Sequence, residues 1–539
     1  MVMELAKGLL KRSKMKRLRR VLQGYRMLKK SNSLRRINDV KDMLTTTECC
    51  KGGSFSKFIF GAATGNAELV LRQYLLLRVA NLDLNKALLY ALGKPGSAVV
   101  YPLPSEWRKV LEPQGFKVAK IRSALMWDGY IVLLLAYGIL SIGRIVFHSI
   151  KEIIRPSFPA LGSYAYFDTL TAGNLPEPCK DGRSHDIVTW YQQWLGRVRE
   201  LDSLCHSVKD VTPSTVEGIP VVSVSSAIPP LTQLGALIRY VGWGTAASML
   251  GIVDLFRGRW WHALLLNQAA LAAQVRMHKV NELARDYLFH ISSWVYRPLW
   301  TYDAEKLGSR ITFYFYGTNT EDFKRSDGYR PPAYGWRAVT WSHYLVWDEY
   351  QAGFVRRAHG GANISVVGPI LFQSSAIEMP KIEKPGVAVF DVTPLRKSFC
   401  CISGIDFDYY VPATNEKFLE HIANVTRQLD AIMLWKLKRE IGDFVHPHYR
   451  HFAGRFSERV DVVSLDPGIS TVRVIESSCA VISMPFTSTA LLAKAMGKPS
   501  IYYDPTGRLQ PDDRAAHGIP VLVGPEELKT WISPLIDIR

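Results

Sequence analysis

The sequence contains few cysteines, and none of them forms a metal-binding or disulfide pattern. Seven cysteines are scattered over 539 residues, with no CxxC pair and no repeated spacing. They are Cys49, Cys50, Cys179, Cys205, Cys400, Cys401 and Cys479. Adjacent cysteines are poor joint zinc ligands and are strained when bonded to each other. An odd, scattered set is typical of a reducing compartment, so the sequence predicts a cytoplasmic protein with free, buried thiols.

Acidic residues are almost absent from the first 36 residues, where thirteen lysines and arginines accompany the single acid Glu4. Apolar residues interleave with these cations at Leu5, Leu9, Leu10, Leu18, Val21, Leu22 and Leu28. The pattern favours a basic amphipathic helix that lies on an anionic membrane surface. A solvated basic tail and a nucleic-acid-binding arm are the alternatives. Because Tyr25 is the only aromatic residue of this segment, and bases stack on aromatic rings, we expect no nucleic-acid partner.

The sequence also lacks the pattern of a secretory signal, because no apolar segment with a small-residue cleavage site follows the basic residues. Residues 129–143 are apolar and uncharged, but this stretch has fifteen residues and lies between Asp128 and Arg144. A membrane-spanning helix needs about 20 apolar residues. The stretch is therefore interpreted as a short monotopic or re-entrant helix, a buried core helix or a true span. With the basic arm nearby, the sequence favours membrane contact by this hydrophobic insertion near residues 129–147.

The chain is too long for one hydrophobic core, and it shows no internal repeat. Strand patterns in the first half occur at residues 57–62, 97–102, 116–119, 163–167, 219–225, 310–316 and 363–368. A helix is predicted at Ser105–Leu111, and a longer helical stretch at residues 231–290. Residues 373–385 are rich in Ser, Lys and Pro, which is typical of a linker.

The last 154 residues alternate strands and helices most regularly. Strands are predicted at residues 387–390, 432–435, 460–464, 480–483, 500–503 and 521–523, and helices at 415–429, at 487–496 and from about 525. This alternation is of Rossmann type. The sequence thus predicts an α/β fold of GT-B-like layout, in which two Rossmann-type domains face a cleft. The predicted units are a basic arm at 1–45, a first domain at 46–372 and a second domain at 386–539.

Residues 476–505 contain the clearest candidate binding site. A strand pattern runs into a proline and an aromatic residue, and three hydroxyl side chains then open a helix. A helix N-terminus offers unpaired backbone N–H groups and the positive end of the helix dipole, which suit a phosphate. The alternative is that a hydroxyl there only caps the helix. The candidate residues are Glu476, Pro485, Phe486, Thr487, Ser488 and Thr489.

A second candidate is the histidine-rich segment 445–451. His446 precedes Pro447, and a proline at the first helical position presents this imidazole at a strand–helix turn. There a histidine can hydrogen-bond a leaving phosphate or give it a proton. A metal site is the weaker interpretation of the three histidines, because no spacing such as HExxH accompanies them. Three cations precede this segment: Lys436, Lys438 and Arg439. They are either electrostatic partners of the phosphate or a solvated strand end.

These motifs resemble those of the polysaccharide biosynthesis proteins named for a PFTS motif. The resemblance rests on PFTS at residues 485–488 and on the segment 461–467. In the first half it includes YPLPSEW at 101–107, WSHYLVWDEY at 341–350 and VGPILF at 367–372. It covers most of the chain from about residue 57 onward. The resemblance implies a GT-B-like glycosyltransferase.

More distantly, a His-Pro turn followed by a Ser/Thr-rich helix start is similar to bacterial transferases that use cytidine-activated donors. These include sialyltransferases, Kdo transferases and polyol-phosphate polymerases, in which the two motifs bind the donor's phosphate and nucleotide. The matching positions here are His446, Pro447, Thr487, Ser488 and Thr489. The resemblance implies a nucleotide-sugar donor and requires no metal or other cofactor. The acidic catalytic motif of those families is not evident in the first half of this chain.

Three carboxylates of the first half are candidates for the missing catalytic base. In a cleft between two such domains the base follows a strand of the first domain. Glu68 and Glu106 follow predicted strand patterns, and Asp348 is a third candidate. Each also suits a helix start, where the dipole favours a carboxylate. Glu68 and His446 form the predicted catalytic pair.

The predicted function is that of a glycosyltransferase of bacterial surface polysaccharide biosynthesis. It would move a sugar to a glycan or lipid-linked acceptor, as a peripheral or monotopic protein at the cytoplasmic face of the inner membrane. Three alternatives remain at this point. They are a nucleotide-sugar epimerase of the same two-domain shape, a polyol-phosphate transferase with a CDP-linked donor, and a nucleic-acid-binding protein that acts through the basic arm.

Overall fold

The computed structural model describes residues 2–50, 55–176, 186–290, 297–318, 321–332, 334–338, 340–372, 377–403, 409–437 and 442–536. Within these ranges the chain forms two β-sheets, one in each half, and both are flanked by helices. The predicted fold class, α/β with two Rossmann-type sheets, is confirmed. The predicted domain boundaries near residues 45, 372 and 386 stay predictions.

The first sheet has eight strands. They are β1 (Tyr164–Phe167), β2 (Ser203–His206), β3 (Ser214–Val216), β4 (Ile219–Ser223), β5 (Asp286–His290), β6 (Arg310–Tyr314), β7 (His343–Val346) and β8 (Asn363–Val366). Their spatial order is β3-β4-β2-β1-β5-β6-β7-β8. All neighbours are parallel except β3 and β4, which form an antiparallel pair at one edge. The central strands β1 and β5 are buried at every residue, as expected for a sheet covered on both faces.

Fourteen helices of the described chain accompany this sheet. They are α1 (Val2–Lys30), α2 (Arg36–Thr46), α3 (Lys57–Phe60), α4 (Ala67–Arg78), α5 (Leu82–Leu92), α6 (Ser105–Leu111), α7 (Lys120–Ile154), α8 (Ile187–Tyr191), α9 (Arg197–Arg199), α10 (Leu234–Phe256), α11 (Trp260–Arg276), α12 (Trp300–Lys306), α13 (Tyr334–Ala338) and α14 (Glu349–Ala358). The helices α7, α10 and α11 pack on one another, with α11 innermost.

The second sheet has six strands, all parallel. They are β9 (Gly386–Phe390), β10 (Ile432–Lys436), β11 (Val462–Leu465), β12 (Ala480–Ser483), β13 (Ser500–Asp504) and β14 (Val521–Val523). Their order is β11-β10-β9-β12-β13-β14, so the chain leaves β9 in one direction and later returns to its other side at β12. Ligands of such sheets bind where the strand order reverses, at the carboxyl ends. The accompanying helices are α15 (Lys397–Ser403), α16 (Pro412–Gln428), α17 (Pro447–Phe456), α18 (Thr471–Glu476), α19 (Ser488–Ala495) and α20 (Pro525–Ile536).

The basic N-terminal segment is helical, as predicted, but part of its apolar stripe is already occupied. Val21 and Leu28 are buried against the body of the protein. Gly24 crosses Gly93 at the end of α5 so closely that a Cβ atom on Gly24 would lie 2.1 Å from the carbonyl oxygen of Leu89. The interpretation that Val21 and Leu28 face a bilayer is therefore wrong, because these side chains attach α1 to α5.

A loop of the first half, residues 321–332, clasps the second half. The Lys324 backbone N–H donates to Asp513 Oδ2 at 2.7 Å, and the Tyr329 hydroxyl donates to Asp513 Oδ1 at 3.1 Å. The Arg514 guanidinium carbon lies 3.6 Å from the centre of the Tyr329 ring. Asp513 is 3% exposed, so the contact excludes water. This clasp fixes the two halves in contact beside the carboxyl edge of the second sheet.

Two sequence predictions of local structure are wrong in the first half. Residues 57–62 were expected to form a strand, but they form α3 and the beginning of a 3-10 helix, Gly61–Asn66. Short apolar runs fit both states, and here tertiary contacts decide, since Trp243 Nε1 of α10 donates to the Phe58 carbonyl at 2.9 Å. Residues 97–102 pair with residues 116–119 only through a single bridge, Val99 to Val118.

Other predictions needed smaller corrections. The expected helical stretch 231–290 contains α10 and α11 but ends in β5, whose continuous apolar run lacks the alternation of a half-buried strand. The strands β2, β3 and β7 were not predicted. The short helix expected at 129–143 is part of the 35-residue α7, which continues through Asp128 and Arg144 because both side chains are exposed. The helix Ser105–Leu111 and the strand-helix alternation of the second half are confirmed.

Candidate functional site

Three neighbouring strands of the second sheet end at the same edge. β10, β9 and β12 are parallel neighbours, and Lys436, Phe390 and Ser483 are aligned in their register. Because neighbouring strands lie about 4.8 Å apart, groups that follow β10 and β12 are separated by roughly 10 Å across β9. The segments that follow these strands contain the His-Pro turn, Asp391 and the PFTS motif. The fold thus gathers both sequence-predicted motifs at one edge.

The PFTS loop has an unusual backbone that its neighbours hold in place. Phe486 has a φ of 65°, in the left-handed region that non-glycine residues seldom adopt. The hydroxyl of Tyr410 donates to the Pro485 carbonyl at 2.7 Å, and the hydroxyl of Tyr502 donates to the Thr487 carbonyl at 2.6 Å. Phe323 of the clasp packs on Phe486, with ring centres 4.7 Å apart. A strained residue fixed from several sides is typical of a functional loop.

The start of α19 is open. Thr487 occupies the N-cap position, but its side chain makes no capping hydrogen bond. Its Oγ1 donates instead to the Met484 carbonyl at 3.0 Å. The Thr487 side chain therefore leaves the first N–H groups of α19, those of Ser488 and Thr489, without a cap. These groups and the helix dipole leave a place for an anion.

A chain of hydroxyls lies beneath this helix start. Thr489 Oγ1 lies 3.0 Å from Thr487 Oγ1 and 2.7 Å from Ser483 Oγ. Since Thr487 uses its own proton on a carbonyl, Thr489 donates to Thr487, and Ser483 donates to Thr489. The chain fixes the rotamers of the Ser/Thr cluster and so holds the loop in one shape.

His446 lies at the N-cap of α17, as the sequence predicts. Its backbone N–H donates to the Pro394 carbonyl at 2.9 Å, which ties it to the segment after β9. Its Nδ1 accepts from the His448 N–H at 3.3 Å, so the neutral ring holds its proton on Nε2. Burial, with His448 and Arg396 nearby, lowers the pKa of His446. The ring is therefore neutral at pH 7 and can donate a hydrogen bond from Nε2.

Asp391 is a functional candidate that the sequence reading missed. It directly follows β9 at the centre of the edge and is 3% exposed. Its carboxyl accepts a hydrogen bond from Tyr449, one turn into α17. Burial raises the pKa of Asp391 to about 6. Asp391 thus anchors the helix that presents His446, and its position directly after a buried strand was the available sequence signal.

The remaining predicted donor-binding residues have other contacts. Lys436 is buried, and its Nζ donates to the carbonyls of Leu437 at 3.1 Å and Pro467 at 2.7 Å, while burial lowers its pKa. Lys438 and Arg439 lie outside the described residues. Glu476 ends α18, before β12 begins, and is therefore at the opposite edge of the sheet from Thr487. The structure does not bring Glu476 together with the PFTS loop.

The candidate bases are distributed differently from the prediction. Glu68 lies on α4 and pairs with Arg72 of the same helix. The strand that was expected to precede it is a helix, so the reason for placing Glu68 at a strand end is wrong. Glu106 lies on α6 and accepts from Ser105 at 2.8 Å. Neither carboxylate contacts the second sheet within the described chain.

Asp348 is the candidate that reaches the second half. It follows β7 and caps α14 by accepting from the Gln351 N–H at 2.9 Å. Its other oxygen lies 2.7 Å from Nδ1 of His517, a residue of the second half that is 3% exposed. Burial is the largest cause of the raised pKa of Tyr502, followed by Tyr410 and then by the charge of Asp348. Asp348 therefore joins the segment after β7 to the second half through His517.

No group of three or more potential metal ligands occurs among the described residues. The described part of the segment 445–451 places the His448 Nε2 atom 2.7 Å from Glu416. The backbone N–H of His446 instead donates to the Pro394 carbonyl, in the segment after β9.

The chain is thus an α/β protein with two Rossmann-type sheets, in which an open helix start and a histidine follow the two strands that flank β9. The family model of the polysaccharide biosynthesis PFTS motif proteins matches residues 243–532, which is more than half of the chain. The chain belongs to this polysaccharide biosynthesis PFTS motif family.

Several solved structures are similar to the chain at a low level. A UDP-GlcNAc 2-epimerase from Methanocaldococcus jannaschii is 10% identical, with a TM-score of 0.36 over 70% of this chain and 93% of that one. A variant of the wall teichoic acid polymerase TagF is 11% identical, with a TM-score of 0.38 over 76% and 89%. TarM from S. aureus is 10% identical, with a TM-score of 0.30 over 50% and 52%. These scores assign no activity to the chain. No curated protein matches the sequence.

Proposed function

We propose that the chain is a glycosyltransferase of bacterial surface polysaccharide biosynthesis that uses a nucleotide-activated sugar. The donor binds at the carboxyl edge of the second sheet, between the PFTS loop and the His-Pro turn. The observation that carries the proposal is the open start of α19, where Thr487 occupies the N-cap position without capping the helix. A helix start with unpaired N–H groups next to hydroxyls and a histidine is suited to a phosphate.

Each group has a role in the transfer step. The acceptor hydroxyl oxygen forms a bond to the anomeric carbon while the bond from this carbon to the phosphate oxygen breaks, and its electron pair leaves with the nucleotide. The N–H groups of Ser488 and Thr489 stabilise the charge that develops on the phosphate. His446, neutral with its proton on Nε2, donates a hydrogen bond to the same leaving group.

The acceptor proton goes to a carboxylate of the first half. Of the three sequence candidates, Asp348 fits this role best, because it contacts His517 of the second half. A carboxylate has about four acceptor positions, so the two hydrogen bonds of Asp348 leave room for an acceptor hydroxyl. Glu68, the base that the sequence pattern favours, has no described contact with the second sheet.

The proposal assigns the phosphate charge to protein groups and needs no divalent cation. Turnover by the purified protein is accordingly expected to be unchanged by EDTA. A loss of turnover in EDTA that Mg²⁺ or Mn²⁺ restores would contradict the proposed metal independence. It would not contradict the proposed donor site at the second sheet.

The acceptor is proposed to be a glycan or a lipid-linked glycan at the cytoplasmic face of the inner membrane. By length and composition, α7 and α10 qualify as membrane-spanning helices. The cations of α1, which are exposed from Lys14 to Lys30 apart from the partly buried Arg20, suit an anionic lipid surface. No role for nucleic acid is proposed.

The test is a thermal-shift panel of CMP, CDP, UDP, GDP and dTDP with the wild type, His446→Ala and His451→Ala. His451 is an exposed histidine of the same helix and serves as the matched control. A nucleotide at about 100 times its dissociation constant stabilises a protein by roughly 2.7 kcal/mol. We expect one nucleotide to raise the Tm of the wild type and of His451→Ala, and to have a much smaller effect on His446→Ala.

The identity of that nucleotide distinguishes the remaining candidates. Stabilisation by CMP or CDP, together with release of CMP during turnover, supports a cytidine-activated donor. If the group transferred is a polyol phosphate instead of a sugar, the protein is a polyol-phosphate transferase and not a glycosyltransferase. Stabilisation by UDP with interconversion of a UDP-sugar, and no transfer, would indicate an epimerase. Absence of stabilisation by all five nucleotides would contradict the proposed donor site.

A further inference from the structure

The helices α7 and α10 form an antiparallel pair on the surface of the first half. The Leu231 N–H, just before α10, donates to Ser149 Oγ near the end of α7 at 3.1 Å. Farther along, a Cβ on Gly244 would lie 2.5 Å from Ile142 Cγ2, and one on Gly251 would lie 3.4 Å from Leu135 Cδ1. Successive contacts thus run forward along α10 and backward along α7. The glycines allow the two helices to lie close together.

The outer face of this pair is apolar and exposed. On α7, Leu133 and Leu140 are 69% and 59% exposed, and on α10, Ile238 and Met249 are 63% and 66% exposed. Residues 129–143 of α7 contain no charged group. In α10, the only charged residue between Arg239 and Arg257 is Asp254, which is buried. At 1.5 Å per residue these two stretches without an exposed charge, residues 129–143 and 240–256, are about 22 and 25 Å long. We call this surface the α7–α10 face.

The inner side of the pair is covered by protein along its length. α7 and α10 both pack on α11, which also packs on α12 and α3. A Cβ on Gly138 of α7 would lie 2.7 Å from Leu266 of α11. α11 is itself buried, and Asp254 on the inner side of α10 pairs with His262 of α11 at 2.7 Å. Lipid can therefore reach only one side of α7 and α10.

Charged residues mark both ends of the α7–α10 face. Arg144 and Arg239 lie at one end, and Arg257 with Asp128 lies at the other, all with exposed side chains. Cations at the border of an apolar strip suit anionic lipid headgroups, whereas the strip itself suits acyl chains. By length and composition both helices could span a bilayer, but their stretches without an exposed charge are shorter than the roughly 30 Å hydrocarbon core that a spanning helix must cross.

We propose that the α7–α10 face is a monotopic membrane-binding surface, on which both helices lie in the plane of one leaflet and neither crosses the bilayer. The occupant is a lipid bilayer that contains anionic lipid. The inference concerns membrane binding and not the reaction, so it stands or fails independently of the proposed transferase activity. It identifies α10 as a membrane element, which the sequence pattern did not indicate.

The first test measures binding of the full-length protein to vesicles of phosphatidylethanolamine and phosphatidylglycerol. The variant Leu133→Glu/Leu140→Glu/Met249→Glu places three carboxylates on the face. Val198→Glu and Val460→Glu serve as matched controls, because these valines are 80% and 99% exposed elsewhere on the molecule. We expect the triple variant to bind at least about tenfold more weakly, with the Tm unchanged, and the controls to bind like the wild type.

Two outcomes would overturn the proposal in this test. One is vesicle binding by the triple variant that equals that of the wild type. The other is a wild type that does not bind vesicles but self-associates in gel filtration, while the triple variant is monomeric. The face would then bind a second copy of the chain.

The second test distinguishes an in-plane from a spanning arrangement in cells. Thr232→Cys and Arg257→Cys place thiols at the two ends of α10, where both side chains are exposed. A membrane-impermeant maleimide is expected to label both positions above the wild-type background in inside-out vesicles, and neither in intact spheroplasts. Labelling of one end in each preparation would show that α10 spans the membrane and would overturn the in-plane arrangement.

Discussion

At the scale of single residues, the candidate site depends on side chains that shape the PFTS loop without touching the ligand. Phe486 holds a backbone conformation that costs about 1–3 kcal/mol in isolation. The surrounding hydrogen bonds and aromatic contacts offset this cost. The loop is therefore expected to respond to changes in the tyrosines that hold it.

The hydroxyl of Tyr502 tests this dependence. Tyr502→Phe removes the donor to the Thr487 carbonyl and leaves that partly buried carbonyl with one partner fewer, at a cost of about 1 kcal/mol. We expect weaker nucleotide binding, by a few fold, in an equilibrium titration. Tyr503→Phe is the neighbouring control, because its hydroxyl bonds His421 at 2.7 Å, away from the loop. Equal affinities for both variants would argue against a positioning role for Tyr502.

Asp391 gives a pH-dependent prediction. Its folded-state pKa of about 6 exceeds its ordinary value of 3.8, so the folded protein binds this proton more tightly than the unfolded chain does. The contribution to stability is complete below about pH 4 and is lost as the pH rises to about 6, with a magnitude on the order of 3 kcal/mol. Asp391→Asn cannot titrate. The difference in unfolding free energy between the two proteins, from urea titrations at several pH values, should therefore change through this window and be constant above it.

At the scale of elements, the close crossing of α1 and α5 fixes the basic arm to the body. Gly24 and Gly93 let the two backbones approach, and a side chain at either position meets a backbone carbonyl. Arg20 donates to the hydroxyl of Tyr90 on the same side of the crossing. The arm is thus a docked helix from about residue 20 onward.

Gly24→Ala should separate the two helices. The added Cβ would lie 2.1 Å from the Leu89 carbonyl oxygen, and such overpacking typically costs about 1–3 kcal/mol. We expect limited proteolysis to remove the arm faster, with the Tm of the body lowered by a few degrees at most. Gln23→Ala, at the exposed neighbouring position, is the control. Identical cleavage rates for both variants would contradict the docking described for α1.

At the scale of the whole molecule, the clasp couples the two halves and the PFTS loop. The segment 321–332 brings Phe323 onto Phe486 and encloses Asp513, while Asp348 pairs with His517 nearby. Cleft opening would require these contacts to separate. Changes in the clasp are therefore expected to alter both domain coupling and donor binding.

Asp513 and Asp512 offer a matched pair for this coupling. Asp513→Ala removes the acceptor of three hydrogen bonds. One donor, the Ala515 N–H, is buried and costs about 1–3 kcal/mol when unpaired, and the other two are partly buried and cost less. Asp512→Ala removes an ion pair with Lys324 in which the carboxylate is 70% exposed, worth at most about 1 kcal/mol. Calorimetry of Asp513→Ala should show an earlier or split transition, whereas Asp512→Ala should resemble the wild type. A single unchanged transition for Asp513→Ala would show that the clasp does not couple the halves.

The sequence by itself determined the two-sheet class, the order of the second sheet's elements and the two motifs at its edge. These features are local, because β/α periodicity, the His-Pro turn and the PFTS segment each depend on residues that are close in sequence. It failed where a short apolar run fits two states, as in α3, and where a central strand such as β5 lacks alternation.

Only the tertiary structure decided which distant groups meet. It placed Glu476 at the opposite edge of the sheet from Thr487, left Glu68 on a helix paired with Arg72, and joined Asp348 to His517 across 169 positions of sequence. It also packed the inner sides of α7 and α10 against α11, so that their outer sides form one apolar surface. Pairings of this kind depend on how whole elements pack, and periodicity along the chain contains no information about the face that a neighbour will cover.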